Sequence, residues 1–288
     1  MAAISTAYDG IEVIRASDLL MALSLRAAHP EARVLAGGTD LMVEMDLGHN
    51  VPGLVLDIWG VDELRGVCED ETHFYIGALT THTEILSSSV AQAYAPSLVE
   101  SARTVGALQI QNRGTLGGNI ANASPAGDTL PVLLSLDAEV ELSSASRGRR
   151  RLGIEFLFTG YRELAMEPDE LVTGVWIPKR HPADHTHYRK VGTRLAQAIS
   201  KVVLGARLRI EEGTVTQARV ALGSVAATPV RCTQVEEALE GRPVDPEASR
   251  LMSEDISPID DIRSTAGYRT QVAANVLRAW LETLRRMD

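Results

Sequence analysis

Two segments of this 288-residue chain combine residue types that can hold a charged ligand: Ala36-Gly37-Gly38-Thr39-Asp40-Leu41 and Thr115-Leu116-Gly117-Gly118-Asn119. Each sets a glycine pair beside a threonine and an Asn or Asp. Glycine lets backbone N–H groups converge on an anion with no Cβ in the way. A helix N-terminus that follows adds free N–H donors and partial positive charge. Taken singly, either pair reads as a tight turn. Repetition changes the reading: one loop can hold one phosphate, and two suggest a pyrophosphate gripped from both sides, hence a dinucleotide. No G-x-G-x-x-G follows a strand and no G-x-x-x-x-G-K-[ST] occurs, which disfavours a doubly wound nicotinamide site and a P-loop.

Other constellations are weaker. His181, His185 and His187 have spacings that zinc or copper could use, but they fall where a linker between domains is expected. Ser124, His82 and Asp128 supply the residue types of a hydrolase triad, without the G-x-S-x-G elbow. Cys68 and Cys232 are the only cysteines, too few and too far apart to ligate an iron–sulfur cluster. They also suggest no disulfide framework, which fits a reducing, cytoplasmic setting. A net charge of −10 argues against a nucleic-acid partner. The run Arg147-Gly148-Arg149-Arg150-Arg151 reads as a solvated hairpin turn, with subunit docking as the alternative. No apolar stretch reaches membrane-span length, and Met1–Tyr8 does not read as a signal peptide.

The first glycine loop, followed by Gln109-Ile110-Gln111-Asn112-Arg113-Gly114-Thr115-Leu116-Gly117-Gly118-Asn119-Ile120-Ala121-Asn122-Ala123-Ser124-Pro125-Ala126-Gly127-Asp128, resembles the FAD-binding medium subunit of molybdenum hydroxylases. That family includes xanthine dehydrogenase, aerobic carbon monoxide dehydrogenase, nicotinate and quinoline hydroxylases and aromatic thioester reductases. A third segment, Tyr188-Arg189-Lys190-Val191-Gly192-Thr193-Arg194 with Ala198-Ile199-Ser200-Lys201-Val202, is similar to the start of the family's C-terminal domain. The resemblance covers essentially the whole chain. It implies a non-covalent FAD, with molybdopterin and iron–sulfur clusters on partner chains only. It places the cofactor against Arg33, Val34, Leu35, Ala36, Gly37, Gly38, Thr39, Asp40 and Leu41. Thr115, Gly117, Gly118 and Asn119 would close the other side, with Leu171 and Val172 further lining residues. Asp40 must point away from phosphate, capping its own helix. Asp128 would accept hydrogen bonds from ribityl or sugar hydroxyls, its alternative being a cap before Leu130.

Three positions bear on the ring. Val105 and Gly106 match the place where relatives set a residue against the flavin, and a valine stands there where an aromatic can occur. Lys190 would stabilise charge on the reduced ring and raise its potential; a strand-edge lysine is the plainer alternative. Gln111 stands where relatives often carry Arg, which bears on contact with the iron–sulfur subunit or the acceptor site. The inserted cysteine-bearing loop of some thioester reductases is absent.

Positioning these residues requires a mixed α+β chain. Helices are expected at 17–28, with Leu19, Leu20 and Leu23 on one face, and at 40–47, 89–104 and 130–136, and Thr81-His82-Thr83-Glu84 reads as a further helix start. Strands are expected at 32–36, 53–58, 74–78, 139–143, 149–152 and 171–177. After a break at 178–182, strands at 188–191, 201–210 and 214–222 precede helices at 231–239, 246–255 and 265–287. Glu212-Gly213 supplies a hairpin turn. Val272, Val276, Trp280 and Leu284 form the last helix's apolar stripe. The resemblance turns this into a two-part FAD-binding domain of the vanillyl-alcohol-oxidase type over 1–179, and a three-stranded antiparallel sheet with helices over 183–288. The function implied is electron transfer within a heterotrimer, doubled into a dimer of heterotrimers: electrons arrive from a small iron–sulfur subunit, a large molybdopterin subunit does the hydroxylation, and NAD+, oxygen or another acceptor receives them. A self-sufficient flavin oxidoreductase and a non-catalytic FAD-dependent scaffold are the alternatives.

Overall fold

The computed structural model describes residues 10–49 and 51–287; the Met1–Tyr8 start lies outside them. A small N-terminal layer comes first. β1 (Glu12–Arg15), β2 (Arg33–Leu35) and β3 (Leu54–Asp57) form a parallel sheet in the order β1-β3-β2. α1 (Leu19–Ala28) and α2 (Leu41–Asp46) make the crossovers. Asp18 caps α1 by accepting from the Met21 N–H at 2.8 Å. Leu19 and Leu23 pack on the core of this layer, whereas Leu20 is 74% exposed, so the expected three-leucine face is two leucines wide. β1 carries no alternating pattern in the sequence, and three of its four residues are exposed.

A five-stranded sheet follows. It uses β4 (Val67–Glu69), β5 (His73–Gly77), β6 (Glu139–Ser144) and β7 (Gly148–Gly153). The small hairpin β8 (Phe158–Gly160) and β9 (Glu163–Leu164) stands apart, and β10 (Leu171–Pro178) completes the sheet in the order β4-β5-β10-β6-β7. Its helices are α3 (His82–Ser87), α4 (Ser89–Tyr94), α5 (Pro96–Thr104), α6 (Leu108–Gln111), α7 (Leu116–Asn122) and α8 (Leu130–Ser135). The single helix expected over 89–104 is two helices. Ala95 leaves helical geometry (φ −138°, ψ 59°) and Pro96 starts the next helix, where a missing N–H costs nothing. Phe74, Ile76, Leu98, Leu116, Ile120 and Leu133 form the buried centre.

β11 (Asp184–Val191), β12 (Val202–Glu211), β13 (Thr214–Gly223) and the two-residue β14 (Val230–Arg231) form an antiparallel sheet. Three long strands match the expectation and β14 adds a short edge. Glu212 (φ 51°) and Gly213 (φ 73°) make the turn, the paired positive φ that a tight hairpin needs. β11 begins at Asp184 and not Tyr188, so His185 and His187 lie on a strand rather than in a linker. His187 stacks on Trp280 at 5.3 Å. α9 (Thr233–Leu239), α10 (Met252–Asp255) and α11 (Ala266–Arg285) cover one face. On α11 the buried residues are Arg269, Ala273, Leu277, Trp280, Leu281 and Leu284; the stripe is turned from the expected one, leaving Val272 and Val276 at its margin.

The sheet has two dry faces. Val202, Leu204, Ala206 and Leu208 pack toward α11, while Val203 joins the core of the preceding sheet. On that second face a Cβ at Gly205 would lie 2.7 Å from the Pro131 carbonyl, so glycine lets α8 sit directly on β12. Asp137, after α8, accepts from Arg207, from Arg219 at 2.8 Å and from Arg231 at 3.3 Å, pinning the same junction.

A dinucleotide cleft between the sheets

The two glycine loops meet. A Cβ on Gly37 would fall 1.8 Å from the Arg113 carbonyl oxygen, so this glycine exists to let one loop touch the other. Gly38 takes φ +76°, a left-handed backbone that β-branched residues avoid. The amides of Ala36, Gly37, Gly38, Thr39 and Asp40 have no acceptor among the described residues. A row of unpaired N–H groups on a glycine turn is an anion cradle by its own chemistry.

The second loop differs. Leu116 N–H donates to Thr80 O at 3.0 Å, Gly117 N–H to Ala78 O at 2.9 Å and Asn119 N–H to Thr115 O at 3.0 Å. Gly118 N–H donates to the capping Thr115 Oγ1 at 3.0 Å. A Cβ on Gly117 would meet the Ala78 Cβ at 2.5 Å. These residues seat α7 against β5, and their amides are already engaged. The expected grip from both sides therefore lacks its second row of donors. Asn119 retains its side-chain amide N–H2, its Oδ1 accepting from Thr129 at 2.6 Å. Asp40 makes no cap bond to α2; it faces Arg162, at 3.9 Å.

A cleft of 1680 Å3 opens over both loops, larger than the roughly 300–1,000 Å3 of drug-sized sites. Of the residues expected at a cofactor, Arg33, Val34, Ala36–Leu41, Val105, Gly106, Thr115, Gly117, Gly118, Asn119, Asp128, Leu171 and Val172 line it. Leu35 and Lys190 do not. Leu35 lies beneath the turn, its Cδ1 3.2 Å from where a Gly38 Cβ would be.

Lys190 instead supports the cleft from behind. Its Nζ donates to Asp128 Oδ2 at 2.5 Å and to Thr104 O at 3.0 Å. Ser200 donates to the other Asp128 oxygen. Burial pushes the Asp128 carboxyl up from its ordinary value, against the pull of Lys190 and Ser200. The lysine is thus half of a buried ion pair and not a bare cation facing the cleft. Asp128 makes no cap at α8, and it forms no triad with Ser124 and His82: both its oxygens are held by Lys190 and Ser200. Each oxygen keeps a second lone pair for a ligand hydroxyl.

Val105 and Gly106 sit where the chain leaves α5. Gly106 (φ +54°) accepts from the Gln197 N–H at 2.9 Å, joining the two domains at this end. Gln111 is buried, and its Nε2 donates to Arg103 O at 2.9 Å and Val105 O at 3.0 Å. It holds the Val105–Gly106 segment and reaches no surface. At the other end Arg162, with φ +57°, donates to Glu44 Oε1 and Asn122 Oδ1, both at 3.0 Å. It ties the β8/β9 tip to α2 and α7. No motif in the sequence marks Arg162.

Residues 8–180 match a family model described as the FAD binding domain in molybdopterin dehydrogenase, and 186–284 match the CO dehydrogenase flavoprotein C-terminal domain. The chain is an FAD-binding medium subunit of the molybdenum hydroxylases. It is 31% identical over 270 residues to the xanthine dehydrogenase FAD-binding subunit of Escherichia coli O157:H7, covering 91% of each chain. Caffeine dehydrogenase subunit beta of Pseudomonas sp. strain CBB1 is 34% identical over 280 residues, 94% of this chain and 92% of that one. The structure resembles a chain of carbon monoxide dehydrogenase from Hydrogenophaga pseudoflava, with a TM-score of 0.89, 28% identity, and coverage of 93% and 95%. FAD fits the geometry of this medium subunit: the open Ala36–Asp40 amides suit a pyrophosphate, and Asp128 suits hydroxyls.

Proposed function

We propose that this medium subunit is the electron relay of a dimer of heterotrimers, taking electrons from a small iron–sulfur subunit and passing them to NAD+, oxygen or another acceptor. The observation that carries the reading is the row of unpaired amides from Ala36 to Asp40 opening on a cleft shared by both domains. When bound there, FAD supplies a centre that exchanges one or two electrons. The chain's own part is to hold and orient. The glycine loop takes the pyrophosphate, and Asp128, fixed by Lys190 and Ser200, takes hydroxyls. Gln111, through Val105, and Gln197, through Gly106, fix the wall beside the ring.

The two free cysteines, Cys68 exposed and Cys232 buried, offer no cluster ligation, so other redox centres belong on other chains. Relatives that share this fold carry names for xanthine, caffeine and carbon monoxide. That variety over one flavoprotein scaffold supports substrate choice by the large subunit. Among the described residues no helix is long and apolar enough to cross a membrane, and a cytoplasmic site suits unpaired cysteines.

Co-expression with the neighbouring reading frames tests the assembly. Native mass determination is expected to give the three chains in equal number, doubled. A medium subunit that stays alone while oxidising an organic substrate would instead establish the self-sufficient oxidoreductase.

A further inference from the structure

His82 takes no part in the interactions described above. It is 2% exposed, it lines the cleft, and its Nδ1 is sealed without a hydrogen-bond partner among the described residues. The ring's other nitrogen, Nε2, makes no hydrogen bond among the described residues and is not sealed in this way. The His82 backbone N–H donates to Gly114 O at 3.0 Å. A side chain at Gly114 would sit 3.2 Å from His82 Cδ2 and 3.4 Å from Thr39 Oγ1. The ring edge that carries Cδ2 and its bonded neighbour Nε2 therefore faces the threonine hydroxyl and the loop of open amides, with Nδ1 on the far edge.

Burial pushes the His82 imidazole down to about 4, so it is neutral near pH 7. The charged neighbours are otherwise occupied. Glu84, on the same helix, accepts from Thr81 at 2.7 and 2.8 Å, and Arg113, from the second glycine loop, stacks on Trp59 at 3.8 Å. A neutral imidazole carries one N–H donor and one acceptor.

We propose that His82 is a phosphate-contacting residue of the dinucleotide site, donating its Nε2–H to the pyrophosphate held by the Ala36–Asp40 loop. The assignment rests on reading that loop as the pyrophosphate cradle. It supplies a donor on the side where the α7 amides are already engaged. An anion at this position favours the imidazolium. Binding then raises the histidine's pKa and takes up protons, so affinity grows as pH falls from the loaded ring's pKa toward 4.

The experiment is equilibrium binding of FAD and of riboflavin, which lacks phosphate, to the full-length chain across pH 5–8. His82→Leu is expected to weaken FAD by about tenfold or more, the scale of a hydrogen bond to a charged group, while leaving riboflavin unchanged. His82→Gln, which keeps an N–H donor, is expected to recover most of the affinity and lose the rise toward low pH. Unchanged FAD affinity in His82→Leu, or equal losses for FAD and riboflavin, overturns the assignment. If His82→Leu does not fold, His82→Gln decides: a pH profile identical to the wild type's overturns it. A wild-type chain that binds riboflavin as tightly as FAD contradicts the cradle itself, a separate failure.

Discussion

Gly37 and Gly118 look equivalent in the sequence and are not equivalent in the structure. Gly37 has a carbonyl oxygen 1.8 Å from its would-be Cβ, whereas Gly118 meets only the Thr115 Oγ1 at 2.8 Å. Gly37→Ala must push the two loops apart, and flavin content measured after purification is expected to fall to less than about a tenth of the wild-type level. Gly118→Ala lies inside α7, where alanine is the better helix former by about 1 kcal/mol, and full flavin content is expected. Equal loss in both variants would restore the symmetric, two-sided cradle. The difference was not legible beforehand because a glycine pair shows that a close approach exists, not which atom approaches. Lys190 teaches the same lesson: its motif marked it, but its Asp128 partner lies 62 positions away in sequence.

At the scale of elements, local chemistry was legible wherever it decided the outcome alone. Thr81 and Glu84 form the capping box that starts α3, and Glu212-Gly213 turns its hairpin. Long-range contacts were hidden. The rotation of the α11 stripe is set by where β12 and β13 lie, and Arg269 is buried there by donating to Ser224 O at 2.5 Å and Asp261 at 2.7 Å. The packing of α8 on β12 yields a test. Gly205→Ala would drive a methyl to 2.7 Å from the Pro131 backbone. Such overpacking costs about 1–3 kcal/mol, read as a lower denaturant midpoint at unchanged slope. A wild-type midpoint would mean that α8 can move away freely.

For the whole molecule, the family and the cofactor could be read from three motifs, because each motif is local in sequence. How the pieces join could not: Gln197 on Gly106, Ser200 on Asp128 and the three arginines on Asp137 are contacts between distant segments. They make the cleft a property of both domains, so the flavin's setting depends on the domain junction as much as on the glycine loop. In the proposed role this chain relays electrons and does not itself oxidise an organic substrate. Stopped-flow absorbance under anaerobic conditions, mixing the FAD-loaded chain with a hydroxylation substrate in the presence and absence of the other two chains, tests it most directly. The flavin band is expected to bleach within the assembled complex and to stay unchanged in the isolated chain; rapid bleaching of the isolated chain would contradict the account.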